Sequence, residues 1–174
     1  MSYYNRRSGS SYYGNSSYGN GNGGRRSAEV YTDGSCPNNG RDGARGGVGV
    51  YWGDNDPRNV SRGLSDGRQT NNRAEIEAAR TALDQARSQG YSDVTIKTDS
   101  EFLVKSANDW MPRWKENGWK TYSGNPVANR DEFQEMDRAA QGMNVRYEHV
   151  PGHKGVHGNE MADNFARRGA YNKY

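Results

Sequence analysis

The sequence predicts an α/β fold in which a five-stranded mixed sheet is flanked by helices, and two observations support this prediction. Three segments with strand patterning come first and are separated by short turns, as in an antiparallel meander. Segments with helical and strand patterning then alternate to the C-terminal end, and helical crossovers join parallel strands. The element order βββαβααβα therefore indicates three antiparallel strands followed by parallel additions.

The first three predicted strands span residues 29–33, 46–52 and 59–64. The first ends at Asp33, where Gly34 closes it. A turn at residues 54–57 joins the second and third strands, because Asp, Asn and Pro favour turns. These three segments form the meander.

The longest predicted helix runs from Thr70 to Gln89. Thr70 or Asn71 can cap its first turn, and Gly90 follows its end. An apolar stripe at helical spacing gives this helix one face for packing. The remaining predicted elements are a strand over residues 94–99, short helices over 100–108 and 131–141, a strand over 144–150 and a helix over 159–168.

Residues 1–28 have a composition unlike the rest of the chain. They contain four arginines, no acidic residue and no Leu, Ile, Val or Phe. We expect this tail to be disordered, because it cannot bury enough apolar surface to offset its ordering entropy. The four tail arginines carry more positive charge than the net +3 of the whole sequence, so residues 29–174 are close to neutral. We expect these residues to form one domain, on which any basic surface for nucleic acid must be local.

Composition also bears on location. No segment approaches the ~20 apolar residues that a membrane span requires, so no membrane association is expected. A single cysteine, Cys36, cannot form an internal disulfide and suits a reducing compartment. An intracellular location follows, with the nucleus or cytoplasm favoured. The mitochondrion is the less favoured alternative, because the Arg-rich, acid-free tail lacks the apolar face of a targeting helix.

Two predicted strands end in the same way, with an aspartate where the strand gives way to a loop. These are Asp33, after Tyr31-Thr, and Asp99, after Lys97-Thr. A crossover through the long helix would make the strands parallel neighbours, and both carboxylates would then lie within reach of one ion. The alternative is a pair of solvated turn residues.

Two further acids complete a set of four oxygen ligands. Glu75 lies on a helix face that it shares with small alanines, and an acid on a packed face needs a partner. The alternative to a metal ion is a salt bridge to Arg73 or Arg80. Asp163 lies in the first turns of the last predicted helix, again on a side with small residues.

An oxygen-only ligand set favours Mg2+, with Mn2+ as a substitute, over zinc. Two such ions about 3.5–4 Å apart would form a phosphodiesterase site, in which one ion activates a water and the other stabilises the leaving oxygen. A site of this kind needs no Ser or Cys nucleophile.

All three histidines, His149, His153 and His157, lie in one glycine-containing segment. Their spacing resembles a zinc site only loosely, because no cysteine accompanies them and the glycines indicate a mobile loop. We therefore favour His153 as a proton shuttle or product-release residue over a role in metal binding.

Trp110, Trp114 and Trp119 are interleaved with basic residues. Their rings can contact sugars and bases while the cations meet phosphates, which is recognition by backbone and shape. The alternative is a small amphipathic hairpin with tryptophan as core, for which Trp119 is the best candidate. Arg68 and Thr70 precede the long helix, so a basic side chain, a hydroxyl group and the first N–H groups of the helix converge. This arrangement can bind phosphate, and the alternative is an ordinary helix cap.

From about residue 27 to 170 the chain resembles type 1 ribonuclease H in its eukaryotic form. Five motifs occur in the family's order and spacing: Tyr31-Thr-Asp-Gly, Arg68-Gln-Thr-Asn-Asn-Arg-Ala-Glu75, Thr98-Asp-Ser, Trp114-Lys-Glu-Asn-Gly-Trp119-Lys, and Val150-Pro-Gly-His with Gly158-Asn-Glu-Met-Ala-Asp163. One such motif would be weak evidence, whereas five together are specific.

The resemblance implies a ribonuclease H-like fold and an endoribonuclease that hydrolyses the RNA strand of RNA–DNA hybrids, leaving 5′-phosphate and 3′-hydroxyl ends. Residues 29–174 would be its catalytic domain. The implied metal ligands are Asp33, Glu75, Asp99 and Asp163, with His153 in a flexible loop. The implied nucleic-acid contacts are Arg68, Thr70 and Asn129 for a DNA phosphate, Trp110 and Trp114 for the DNA strand, and Asn39, Asn71 and Asn72 for RNA 2′-hydroxyls.

Three departures from the family pattern are visible. Asn72 stands where Gln is usual, and Tyr122 where a small hydroxyl residue is usual. Residues 1–28 cannot form the small hybrid-binding domain that many eukaryotic members carry, although their Arg and Tyr side chains can contact nucleic acid weakly. No obligate protein partner is evident, so a monomer is expected.

Two other functions are compatible with such a fold. An integrase or transposase would lack the tryptophan-rich basic insertion and would carry further DNA-binding domains. A catalytically silent module that binds RNA–DNA hybrids would have lost at least one metal ligand, and none of the four acids is missing.

Overall fold

The computed structural model describes residues 25–172 of the chain. Its strands are β1 (Ser27–Ser35), β2 (Gly47–Tyr51), β3 (Val60–Gly63), β4 (Asp93–Thr98) and β5 (Asn144–His149). They form one sheet in the order β3-β2-β1-β4-β5. The β1–β2 and β2–β3 pairs are antiparallel, and the β1–β4 and β4–β5 pairs are parallel. The predicted mixed sheet, with a meander and parallel additions, is confirmed.

Strand β1 begins two residues before its predicted start. Ser27 and Ala28 continue the parallel ladder opposite Asp93 and Val94, so the sheet extends into the segment assigned to the tail. Arg25 adds an ion pair of 2.6 Å to Asp93. The rest of the predicted disordered tail, residues 1–24, lies outside the described residues.

The helices are α1 (Asn71–Ser88), α2 (Glu101–Lys105), α3 (Met111–Asn117), α4 (Arg130–Ala139) and α5 (His157–Tyr171). The predicted long helix is α1, and Thr70 caps it by accepting a hydrogen bond from the backbone N–H of Arg73. Helix α3 was not predicted. A π-helical turn over Ser106–Trp110 joins it to α2, and Pro112 fits its first turn because a proline there loses no intrahelical hydrogen bond.

The two faces of the sheet are covered differently. Helix α1 packs on one face with α4 against it, and α5 covers β1, β2 and β3 on the other. The core between the sheet and α1 contains fully buried Val30, Ile76, Leu83 and Ile96. None of the helices within residues 25–172 is long and apolar enough to cross a membrane.

Candidate functional site

Asp33 and Asp99 lie side by side at the carboxyl edge of the sheet. Strands β1 and β4 are parallel neighbours in a register that pairs Tyr31 with Lys97, so the aspartate that follows each position by two residues reaches the same level. The predicted adjacency of the two strands is confirmed. It follows directly from the α1 crossover, because such a crossover returns the chain parallel to its first strand.

Glu75 of α1 joins these two aspartates. One carboxylate oxygen from each of Asp33, Glu75 and Asp99 lies within 4.8 Å of the other two, and this is the one cluster of three or more candidate ligands within residues 25–172. Glu75 accepts a hydrogen bond of 3.1 Å from the backbone N–H of Gly34. The alternative salt bridge is not formed, since Arg73 pairs with Glu132, and Arg80 pairs with other acids.

A glycine at position 34 allows this approach. A Cβ atom on Gly34 would lie 2.4 Å from both the carbonyl carbon of Ala74 and the backbone nitrogen of Glu75. Any side chain at this position would therefore push the first turns of α1 away from β1. The glycine of the Asp-Gly motif thus brings Glu75 to the aspartates.

The three carboxylates repel one another. Burial raises the pKa of Asp33 to about 8, with further contributions from the charge of Asp99 and from a hydrogen bond to Asp163. Burial and the two aspartates also raise the pKa of Glu75 well above its usual range, although the N–H of Gly34 opposes the shift. Within residues 25–172 no basic side chain forms an ion pair with Asp33, Glu75 or Asp99. The cluster therefore fits a hard divalent cation, whose charge would relieve the repulsion.

We expect a divalent cation to displace protons from this site. Because the pKa of Asp33 is raised from 3.8 to about 8, its carboxyl group is largely protonated at neutral pH, and cation binding should tighten as the pH rises towards 8. Calorimetric titration with Mg2+ at pH 7, in two buffers of different ionisation enthalpy, counts the protons released. Asp33→Asn should reduce that count, whereas the absence of proton release in the unmodified protein would contradict the prediction.

The same shift fixes the sign of the pH dependence of stability in the metal-free protein. The folded state holds the Asp33 proton more tightly than the unfolded state, so this contribution to the free energy of unfolding is fully present below pH 3.8. It is lost as the pH rises through about 8. Mg2+ should therefore raise the melting temperature more at pH 8 than at pH 5.

Asp163 lies beside this cluster but is not part of it. Its carboxylate shares a hydrogen bond with Asp33 and forms an ion pair with Arg167 one turn further along α5. The sequence places Asp163 among the four ligands, and the structure places it next to Asp33 with its charge partly neutralised. It is therefore suited to hold a cation at the rim of the cluster rather than at its centre.

Asn159 was missed as a site residue. Its side chain is buried, and its amide donates a hydrogen bond of 3.0 Å to Oδ2 of Asp99. Asn159 precedes Asp163 by four residues on α5, so the two side chains share a helix face. That spacing was the available signal, because it places Asn159 beside a predicted metal ligand.

The histidines do not form a metal cluster in the described part of the chain. His157 bonds to Asp54 at 3.0 Å, and His149 lies exposed at the end of β5. His153 is exposed in the loop before α5, with a φ of 54°. That loop passes close to the carboxylates, because a Cβ atom on Gly152 would lie 2.9 Å from Oδ2 of Asp99.

Arg68 and Asn129 line one cleft of about 440 Å³ between the loop that precedes α1 and the start of α4. Asn129 begins α4 in a left-handed conformation, which Asn tolerates, and its side chain does not cap the helix. Thr70 is adjacent in sequence to this loop, and its oxygen accepts from Arg73 N–H at 3.1 Å, which leaves its hydroxyl proton available for donation. Arg68 can meet an anion in this cleft, which Asp66, Asp131 and Glu132 also line.

The three candidate asparagines gather at the first turn of α1, the helix that carries Glu75. The backbone N–H of Asn71 donates to Oδ1 of Asn39 at 3.0 Å, and Oδ1 of Asn71 accepts from Cys36 N–H at 2.8 Å. Asn72 is exposed beside them. The amide groups of Asn39 and Asn71 thus retain N–H donors for a ligand.

The tryptophans give a mixed outcome. Trp110 is 38% exposed, whereas Trp114 and Trp119 are partly buried against the core. Trp114 lies between Trp110 and Trp119, with ring centroids 6.1 and 5.8 Å away, and 5.3 Å from the ring of Phe133. Trp110 is therefore the exposed member of a cluster of tilted aromatic rings, and Trp114 packs against the core, a role for which the sequence favoured Trp119.

This arrangement defines a class: an α/β protein with a carboxylate cluster that fits a divalent cation at one edge of its sheet. Residues 25–171 match the family model described as RNase H, and the chain belongs to the ribonuclease H family. The predicted family and fold are confirmed.

Three comparisons illustrate the membership. Ribonuclease H1 of Rattus norvegicus is 50% identical over 144 residues, which cover 83% of this chain and 50% of the relative. LC9-RNase H1, a type 1 RNase H with the type 2 active-site motif, superposes with a TM-score of 0.68 at 32% identity, over 84% of this chain and 72% of that one. A foamy viral protease-reverse transcriptase in complex with RNA/DNA hybrid gives a TM-score of 0.68 at 25% identity, over 82% and 20%. The chain spans about half the length of the curated relatives that match it first.

Proposed function

We propose that this chain is a metal-dependent endoribonuclease that hydrolyses the RNA strand of RNA–DNA hybrids and leaves 5′-phosphate and 3′-hydroxyl ends. The observation that carries the proposal is the cluster of Asp33, Glu75 and Asp99, three carboxylates without a basic partner in the described residues. Family membership supports the reaction class, and the similarity to a structure in complex with RNA/DNA hybrid supports the substrate. Residues 29–174 would form the catalytic domain.

The four acids Asp33, Glu75, Asp99 and Asp163 would hold two Mg2+ ions, with Mn2+ as a substitute. When bound, such ions supply Lewis-acid stabilisation of the charge that develops on the phosphate and a water of lowered pKa. The protein orients the ligands. Gly34 N–H fixes one oxygen of Glu75, and the Asn159 amide fixes Oδ2 of Asp99.

His153 would move a proton near the leaving oxygen or promote product release. It lies one residue from Gly152, which packs against Asp99, and its exposed position leaves the imidazole free to approach the phosphate. An imidazole can both accept and donate a proton, which either role requires.

We expect His153→Ala to slow turnover by roughly a hundredfold, the scale of losing one general acid or base. Residual cleavage should still depend on Mg2+, because the carboxylates remain. Single-turnover rates across a range of Mg2+ concentrations measure both effects, with His149→Ala as the matched control. A loss of metal affinity in His153→Ala would instead assign the imidazole a ligand role.

The remaining candidate residues would position the hybrid. Arg68 and Asn129 would bind a DNA phosphate in their cleft, with Thr70 at the neighbouring start of α1, and Trp110 would contact the DNA strand, supported by Trp114. Asn39, Asn71 and Asn72 would donate to RNA 2′-hydroxyl groups, which distinguish RNA from DNA. Their place at the start of α1 puts them on the helix that carries Glu75.

A cleavage assay tests the proposal directly. The full chain is incubated with labelled RNA–DNA hybrid, double-stranded RNA and double-stranded DNA, each with Mg2+ and with EDTA, and the product ends are mapped. Cutting of the RNA strand of the hybrid alone, dependent on Mg2+, is the expected result. Binding of the hybrid without cleavage would make the chain a silent hybrid-binding module and overturn the proposal.

A further inference from the structure

Arg73 is a buried arginine whose side chain makes no contact with the carboxylate cluster. Its guanidinium donates to Ser65 O at 3.1 Å, Ser65 Oγ at 2.8 Å, Asp66 O at 2.8 Å and Arg68 O at 2.7 Å. Its Nε donates to Oε2 of Glu132 at 3.1 Å. An arginine has five N–H donors, and here each has a protein acceptor. Arg73 therefore has no donor left for a phosphate.

These contacts join the two walls of the cleft that contains Arg68 and Asn129. Four of them bind the loop that carries Arg68, and the fifth binds Glu132, which lies in the first turn of α4, just after Asn129. Ser65 is held to α1 a second time, because its Oγ also contacts Oε1 of Glu77 at 2.6 Å. The planar fork of a guanidinium fixes the directions of its acceptors as well as their distances.

The loop is shaped around this guanidinium. Gly67 has a φ of 119°, a conformation that residues with a side chain rarely adopt, and a Cβ atom there would lie 3.2 Å from Nη2 of Arg73. Arg73 is also two residues from Glu75 in α1. The same helical turn therefore anchors both walls of the cleft and delivers a ligand to the cation centre.

We propose that Arg73 is the positioning residue that holds the DNA-phosphate cleft at a fixed place relative to the metal centre, and so sets which RNA bond is cut. The inference rests on the proposed function, because it assigns the cleft to a DNA phosphate. Arg73 acts through Arg68 and Asn129 and does not touch the substrate. Without Arg73, the distance between a bound DNA phosphate and the scissile RNA bond is no longer fixed.

The test uses RNA–DNA hybrids in which one DNA phosphate at a time is replaced by a neutral methylphosphonate. In the unmodified protein, one position at a fixed distance from each cleavage site should slow cleavage roughly tenfold, the scale of one charge-assisted contact. In Arg73→Gln that penalty should shrink to about twofold or less, and KM should rise about tenfold with kcat changed less than about threefold. The cleavage pattern should also spread to neighbouring bonds.

Two further variants separate positioning from charge and from folding. Arg73→Lys keeps the charge but cannot fill five acceptors, so it should resemble Arg73→Gln. Glu132→Gln removes only the ionic contact to α4 on a partly exposed side chain, so it reports on the clamp if Arg73→Gln does not fold. Arg80→Gln is the matched control, because Arg80 also joins α1 to an acid of α4 but has no contact with the loop at 65–68.

A full methylphosphonate penalty at the same position in folded Arg73→Gln or in Glu132→Gln would overturn the inference. So would a loss of the penalty in Arg80→Gln, because the effect would then belong to α1–α4 packing in general. Failure of the proposed function looks different, since the unmodified protein would then leave every hybrid uncut.

Discussion

Replacing Asp99 by Asn is expected to abolish cleavage, with a loss of at least about a thousandfold, the upper scale for removing one electrostatic contact to a transition state. Affinity for the RNA–DNA hybrid should remain unchanged in the presence of Ca2+, because the variant keeps the phosphate cleft and the asparagines. Asn has the shape of Asp but lacks the charge that a second cation would need. The oxygen cluster then holds two carboxylates in place of three.

Hybrid binding by fluorescence anisotropy and single-turnover cleavage measure these two properties separately. Asp93→Asn is the matched control, because Asp93 lies at the opposite end of the same strand and pairs with Arg25. It should cleave at the rate of the unmodified protein. Unchanged cleavage by Asp99→Asn would contradict the metal role of the cluster, and a weakened affinity would show that Asp99 also takes part in substrate binding.

The second large effect is expected from Gly49→Ala, which should lower the free energy of unfolding by about 3 kcal/mol, the upper range for overpacking a core. A Cβ atom on Gly49 would lie 2.2 Å from Ala162 O and 2.7 Å from Ala166 N. Both atoms belong to the backbone of α5, so no side-chain rotation relieves the clash. The helix must move away from β2, and it carries Asn159 and Asp163 with it.

Chemical denaturation measures the loss of stability, and calorimetric titration with Mg2+ should show weaker binding in the same variant. Gly53→Ala serves as the control, because a Cβ atom on Gly53 meets nothing within 4 Å. It should change the free energy of unfolding by less than about 0.5 kcal/mol. A Gly49→Ala protein of normal stability would mean that α5 can pack at more than one distance from the sheet.

Much of the fold was predictable because its signals are local. The α1 boundaries follow from a capping threonine and a glycine beyond the end, and the strand order β1-β2-β3 follows because strands that are consecutive in sequence tend to pair. Helix α3 was missed because the π-helical turn before it changes the helical register. No residue pattern in Ser106–Trp110 predicts that change. The start of β1 was misplaced because pairing with β4 extends the strand into a segment of tail-like composition.

The candidate site was predictable in its ligands and less so in their surroundings. The sequence predicted that Asp33, Glu75 and Asp99 would meet, since strand ends and a crossover helix fix where they lie. It predicted that Asp163 would be a metal ligand equivalent to these three, whereas the structure shows an ion pair between Asp163 and Arg167. Asn159 escaped notice because a buried amide has no sequence signature apart from its helical spacing.

The sequence by itself determined the fold class, the family and which acids lie at one edge of the sheet, because periodicity, caps and turn residues act over a few positions. Only the tertiary structure decided how those acids interact, since the raised pKa of Asp33 and Glu75 depends on burial and on charges from distant segments. It likewise decided the role of Arg73. Five acceptors from two separate elements converge on that guanidinium, and such convergence is a property of distances in space that neighbouring residues in the chain do not encode.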